Sequence, residues 1–275
     1  MKAEAQERGL LAALVGEAER RVAAAKASRR DLERRAARAA APPDFGAALG
    51  GGPAVAVIAE IKRRSPSAGA LWNGDVAALA RTLESAGAAA LSVLTEQAHF
   101  GGALDDLARA AGAVRLPVLR KDFIVDPVQL YEARAHGAAA VLLIVRILEP
   151  SRLAELAATA RSLALATLVE VHGPAELRAA LRVQPTAIGV NARDLDTLVM
   201  DHGLVERLIG EIPAASVAVA ESGLSRRSDV EAVGARGADA VLVGAAIAGA
   251  PDPAAALGSL VGVVRRPRGP VGGRR

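Results

Sequence analysis

A chain of 275 residues suits one large domain, and 52% hydrophobic against 2% aromatic residues means a core of Val, Leu, Ile and Ala. So few aromatics leave little surface for stacking bases, and the absence of cysteine excludes disulfides, thiolate nucleophiles and cysteine metal sites. The formal charge of +4 belongs to the ends: residues 1–38 hold ten Lys/Arg against six Asp/Glu, and residues 265–275 add five Arg. The stretch between is mildly acidic, so no nucleic-acid partner is expected.

Residues 1–45 read as an N-terminal helical extension. Leu10, Leu11, Leu14 and Val22 fall on a helical spacing between residues 4 and 38, and Pro42-Pro43 closes the segment. It is expected to lie across one end of the following domain. Met1–Leu10 mixes charges with Gly9 and has no continuous apolar core, so no secretory signal is expected. No uncharged apolar stretch reaches the length of a membrane span, and a cytoplasmic protein with no membrane partner is the expectation.

From residue 46 to 264 strand and helix alternate. Buried strands are predicted near 54–62, 89–95, 117–122, 139–145, 166–171, 187–191, 216–221 and 240–244. Helices are predicted near 75–86, 104–113, 127–136, 150–163, 174–183, 201–210, 225–235 and 253–264. Gly87, Gly137 and Gly237 each follow a helix and precede small residues that open a strand, a repeated left-handed cap. Eight strands, each with its helix, make an α/β chain forming a single (β/α)8 TIM barrel. An open doubly wound sheet would place a Gly-rich phosphate loop after the first strand, where this chain has Glu60-Ile-Lys-Arg-Arg-Ser-Pro-Ser. Residues 265–275, rich in Arg, Gly and Pro, read as a basic disordered tail whose removal is expected to be neutral.

Several strands stop on polar residues: Glu60 and Lys62, Lys121, Glu170, Asn191, and Glu221 with Ser222. In a parallel barrel these ends share one mouth, where catalysis sits. Glu60 and Lys62 are two apart and point to one side, as either an active acid–cation pair or an ion pair of the rim. Lys121 alternates with Arg120 and Asp122 and shares a side with Phe123. Desolvation there would lower its pKa and suit it to be a general acid; a snorkelling rim lysine is the other reading. Glu170 interrupts a buried run, which is costly unless it is paired or functional. Gly223 and Gly244, after strands seven and eight, stand where backbone N–H groups commonly take a phosphate. The four histidines have no metal-ligand spacing and read as incidental; no metal is expected.

The blocks Ile58-Ala-Glu-Ile-Lys-Arg-Arg-Ser-Pro-Ser67, Leu119-Arg-Lys-Asp-Phe-Ile124, Leu168-Val-Glu-Val171, Gly189-Val-Asn-Ala-Arg-Asp-Leu195 and Ala220-Glu-Ser-Gly223 resemble the indole-3-glycerol-phosphate synthase family. The resemblance runs in order over about 54–262. It implies conversion of 1-(2-carboxyphenylamino)-1-deoxyribulose 5-phosphate to indole-3-glycerol phosphate in tryptophan biosynthesis, with loss of carbon dioxide and water and no cofactor. It implies catalytic roles for Lys121, Glu170, Lys62, Glu60, Asn191 and Glu221, with Arg193 beside them. Ser65, Ser222, Gly223, Gly244 and Ala245 would take the phosphate. Leu94, Phe100, Phe123, Leu142, Leu195 and Leu242 would wall the aromatic ring. Ala245 and Ala246 depart from the family, which usually has Ser after the glycine, so one hydroxyl donor to the phosphate is missing. The alternatives are a paralogue acting on a related indole precursor and a non-catalytic barrel that binds sugar phosphate. A monomer or weak homo-oligomer is expected.

Overall fold

The computed structural model describes residues 9–66, 69–194 and 197–268. Eight parallel strands close a barrel in sequence order: β1 (Ala56–Ile61), β2 (Ala90–Leu94), β3 (Val118–Lys121), β4 (Ala140–Ile144), β5 (Ala166–Val171), β6 (Ala187–Asn191), β7 (Val217–Glu221) and β8 (Ala240–Val243), with β8 pairing back to β1. Each strand is almost wholly buried because one face packs the lumen and the other the surrounding helices. Ile58, Ala90, Leu119, Leu142, Leu168 and Val219 fill the interior, whereas Val57, Val93, Val141, Val169 and Ile188 face the outer layer. Alternation along each strand therefore decides which residues reach the lumen.

After three N-terminal helices, α1 (Leu10–Ala27), α2 (Arg29–Arg38) and α3 (Phe45–Gly50), come α4 (Val76–Ser85), α5 (Leu104–Ala113), α6 (Val128–Ala135), α7 (Pro150–Ser162), α8 (Pro174–Arg182), α9 (His202–Ile209), α10 (Arg227–Ala235), α11 (Ala245–Ala248) and α12 (Pro253–Gly258). Gly87, Gly137 and Gly237 stand at φ of 98°, 85° and 95°, the left-handed turn that glycine adopts without a steric penalty. The last helix is shorter than expected: Pro253 opens it and Gly258 ends it, and Val264 forms a bridge with Ala54. Among the described residues no helix is long and apolar enough to cross a membrane.

The extension is broken rather than continuous, turning at Ser28 between α1 and α2. It also touches both ends of the barrel, not one. Phe45 and Leu49 of α3 plug the N-terminal mouth, while Leu10 and Leu14 of α1 reach the opposite mouth. Arg21 fastens α1 to the end of β3, giving its guanidinium to Asp122 in two bonds of 2.8 and 2.9 Å. Burial pushes Asp122 up, but Arg120, Arg21 and the Thr95 hydroxyl outweigh it and hold the carboxyl at about 2.

The expected tail is docked over its first four residues. Arg268 is buried, its side chain 4% exposed, and it donates to Ser216 O at 2.8 Å, Gly237 O at 2.7 Å and the Asp239 carboxylate. Arg265 donates to Asp239 from the other side and to Gly50 O at 3.0 Å. Asp239, just before β8, is a buried acid that needs these cations. Residues 269–275 lie outside the described residues.

Candidate active site

The C-terminal ends of the strands open into a cavity of about 550 Å³. Glu60 from β1 and Lys62 just after it, Lys121 from β3, Glu170 from β5, Asn191 from β6 and Glu221 from β7 all line it. Strand register sets these heights, pairing Leu94 with Lys121, Ile144 with Glu170 and Asn191 with Glu221. The predicted convergence of polar strand ends is thus observed.

Lys62 Nζ lies 2.6 Å from Glu60 Oε1. Lys121 Nζ lies 3.4 Å from Glu170 Oε2 and 3.7 Å from Glu221 Oε2, between two buried carboxylates. Desolvation does act on Lys121, as Phe123 suggested, yet it loses. The charges of Glu170, Glu221 and Glu60 outweigh it and hold the ammonium well above the ordinary lysine value. The expected lowering of the Lys121 pKa is therefore corrected, because charges within about 4 Å in a dry site act more strongly than burial alone.

The two carboxylates flanking Lys121 separate in the same way. Burial pushes Glu170 up, but Lys121, then His172 and a hydrogen bond from Asn191, bring it below its ordinary value. Burial and the neighbouring Glu170 push Glu221 up to about 8. One carboxylate stays anionic at neutral pH while its neighbour holds a proton. Pairs driven apart in this way are common where proton transfer takes place.

Two glycines make the room. A Cβ at Gly189 would collide with the Glu221 carboxylate, and one at Gly244 with the Glu60 carboxylate and Lys62. Neither glycine was singled out for this reason in the sequence, because the close approach comes from another strand. At the rim Ser222 and Gly223 are both left-handed, at φ of 65° and 72°. Ser65, Ser222, Gly223, Gly244 and Ala245 line this part of the cavity, and Arg193 lies across it, its N–H bonded to Asn191 Oδ1 at 3.0 Å.

Leu94, Phe100, Phe123, Leu142 and Leu242 form the apolar wall; Leu195 lies outside the described residues. Phe100 is held by Glu96, a buried carboxylate that accepts from the backbone of Ala98, His99 and Phe100 at 3.0, 2.7 and 3.0 Å. Sequence reasoning missed Leu10 and Leu14 as part of the wall, although their i, i+4 spacing marks one face of α1. It also misread His172. That side chain is only 2% exposed and stands between Glu170 and Glu176, not in solvent. Lone loop histidines are usually solvated; here α8 brings a carboxylate over the ring.

Fold and site together define a (β/α)8 barrel whose strand ends gather two lysines and three carboxylates around one cavity. Sequence comparison makes the class specific. A profile of the family "Indole-3-glycerol phosphate synthase" matches residues 11–260. The indole-3-glycerol phosphate synthase of Mycobacterium avium (strain 104) is 50% identical over 83% of this chain and 85% of its own. Indole-3-glycerol phosphate synthase 2 of Streptomyces coelicolor is 48% identical over 92% of this chain and 99% of its own. Indole-3-glycerol phosphate synthase 1 of the same organism is 49% identical over 88% and 90%. Among solved structures, thiamine phosphate pyrophosphorylase from Pyrococcus furiosus covers 79% of this chain and 96% of its own at a TM-score of 0.58 and 17% identity, a likeness of fold alone.

The chain belongs to the indole-3-glycerol phosphate synthase family. It is a carboxy-lyase of tryptophan biosynthesis, closing the ring of 1-(2-carboxyphenylamino)-1-deoxyribulose 5-phosphate with loss of carbon dioxide and water.

Proposed function

We propose that Lys121 protonates the ribulose carbonyl as the aromatic ring carbon attacks it, and that Glu170 stabilises the positive charge developing on the anilino nitrogen. The observation that carries this reading is the Lys121 ammonium held between Glu170 and Glu221, at 3.4 and 3.7 Å. An ammonium kept charged by the anionic Glu170, with Glu221 beside it, has a proton in place, and the developing alkoxide draws it across when the substrate enters. Lys62, paired with Glu60, holds the substrate's anionic groups and acts as acid in the dehydration. Asn191, Arg193 and Glu221 orient the lysines and the ribulose hydroxyls.

The phosphate lies against Ser65, Ser222, Gly223, Gly244 and Ala245, and the anthranilate ring against Phe100, Phe123, Leu142 and Leu242. The place of Ser222, Gly223 and Gly244 in the loops after β7 and β8 supports that assignment, since loops there commonly take a phosphate on backbone N–H groups. The enzyme works in the cytoplasm as a monomer or weak homo-oligomer.

Incubating the protein with the carboxyphenylamino-deoxyribulose phosphate and following indole fluorescence tests the assignment. Turnover should appear for the wild type and collapse in Lys121→Met, Lys62→Met and Glu170→Gln. Retention of wild-type turnover by all three folded variants would sink the assignment.

A further inference from the structure

Glu170 turns only one of its oxygens to Lys121, with Oε2 at 3.4 Å from Nζ. Its other oxygen, Oε1, is buried without a hydrogen-bond partner and faces His172 Nε2 at 3.4 Å. His172 Nε2 is likewise buried and unbonded. Two unsatisfied polar atoms facing each other inside an active site need a reason, because each is costly alone.

His172 is not free to turn away. Its backbone N–H donates to Glu176 Oε2 at 2.7 Å, and its Nδ1 lies 3.3 Å from the same oxygen. Glu176, from α8, takes Arg146 Nε at 3.1 Å, and Arg146 Nη1 reaches Asp194 Oδ2 at 2.7 Å. Arg146 sits in the 3-10 turn Val145–Ile147 after β4, and Asp194 in the loop after β6. The chain of contacts thus crosses three consecutive βα units behind Glu170. The charged groups that face Glu170 are Lys121 from β3, Glu221 from β7 and His172; those that face His172 are Glu170 and Glu176, with Arg146 and Asp194 behind.

We propose that His172 is a positioning residue for the reaction: clamped by Glu176, its ring holds the outward oxygen of Glu170, so that the carboxylate keeps one rotamer and presents its other oxygen to Lys121 and the substrate. The inference rests on the reading of Glu170 as the carboxylate that stabilises the developing charge. With a carboxylate at each ring nitrogen, His172 donates to both only when both nitrogens carry a proton, the arrangement that fixes the ring between an orienting acid and its working partner. As an imidazolium it also gives Glu170 a second cation, opposite Lys121, which helps keep the carboxylate anionic in a buried site.

The test is the pH dependence of kcat/KM in four proteins. His172→Phe keeps the ring volume and removes both nitrogens. Its kcat is expected to fall about tenfold, the worth of one hydrogen bond to a charged group, with KM changed less than twofold. Losing a cation beside Glu170 raises the pH at which that carboxylate takes a proton, so the acid limb should move to higher pH. His172→Gln restores a donor without charge and should recover part of kcat while its acid limb stays shifted. Glu176→Gln unclamps the ring and should lower kcat by a smaller factor with KM held, and it reads out the proposal if the phenylalanine variant fails to fold. An acid limb unmoved in His172→Gln, with wild-type kcat in both it and Glu176→Gln, overturns it. Glu170→Gln separates the two claims: an inactive Glu170→Gln beside an unmoved His172 series removes only the role of His172. An active Glu170→Gln removes the reading on which it rests.

Discussion

The Glu221 carboxylate occupies the space that a side chain at Gly189 would fill. A Cβ there would strike Glu221 Oε1 and press on Leu168 Cδ1 at 3.3 Å. The glycine on β6 therefore sets the position of the acid on β7, and through it one of the two contacts of Lys121. Gly189→Ala should displace Glu221 and lower kcat at least tenfold, with a stability loss of about 1–3 kcal/mol from overpacking. Steady-state kinetics beside thermal melts check this; wild-type kcat in the variant would show that Glu221 can be placed elsewhere without loss.

Lys121→Met keeps the volume of the side chain and removes its proton. Turnover should fall by about 10²–10⁴-fold, the usual range for a lost general acid. Because Lys121 is held above the ordinary lysine value, any loss of activity near neutral pH has another source. A folded variant with more than a tenth of wild-type turnover would remove Lys121 from this role.

Glu221 makes stability depend on pH in a definite direction. Its folded pKa of about 8 lies above the ordinary 4.5. Between these values the folded protein binds a proton that the unfolded chain does not, so stability falls as pH rises through this window. Glu170 is lowered, so its own contribution changes only below about 4.5 and does not overlap. Glu221→Gln should therefore lose less thermal stability than the wild type between pH 5 and pH 8. Melts at the two pH values decide it; an equal or larger drop in the variant contradicts the protonated state of Glu221.

The barrel and the ring of polar strand ends were legible because both follow from local pattern. Lumen residues alternate with outward ones, and a polar residue closing a buried run has no packing reason to be there. What escaped depends on partners distant in sequence. The direction of the Lys121 shift needs the distances to Glu170 and Glu221, which come from strands 49 and 100 residues away. His172 reads as solvated until Glu176 covers it, and Arg268 reads as tail until Asp239 is known to be buried at the foot of β8. The role of Gly189 is invisible without its neighbouring strand.

Arg268→Ala should destabilise the fold while sparing catalysis. It removes bonds to Ser216 O, Gly237 O and Ile212 O and leaves Asp239 with Arg265 as its remaining cation, beside the Ala218 N–H. A cost of about 1.5–3 kcal/mol is expected for one charged hydrogen-bonding group. At roughly 2–4 °C per kcal/mol in a protein near this size, the melting temperature should drop by several degrees. The contact lies before β8, at the barrel end away from the mouth, so kcat and KM should hold. Truncation at residue 264 should do at least as much damage, against the neutral outcome that the composition of the tail suggests. An unchanged melting temperature in both would show the docking to be energetically idle.

Ala245→Ser tests the phosphate end of the pocket. Ala245 follows Gly244 at the start of α11 and lines the cavity beside Ser222 and Gly223. Gly244 is fixed by the Glu60 carboxylate and Lys62 beneath it, so the backbone at this point has little room to shift. A serine here would add one hydroxyl next to the proposed phosphate position. One added charge-assisted hydrogen bond should lower KM by roughly tenfold, equivalent to about 1.4 kcal/mol. The phosphate is remote from the atoms that react, so the bond is made equally in ground and transition states and kcat should change much less. Inorganic phosphate should compete with substrate more strongly in the variant by a similar factor. If Ala245→Ser raises KM instead, the two alanines form a pocket fitted to a different anion or a bulkier one. The substrate would then have to be sought among related indole precursors.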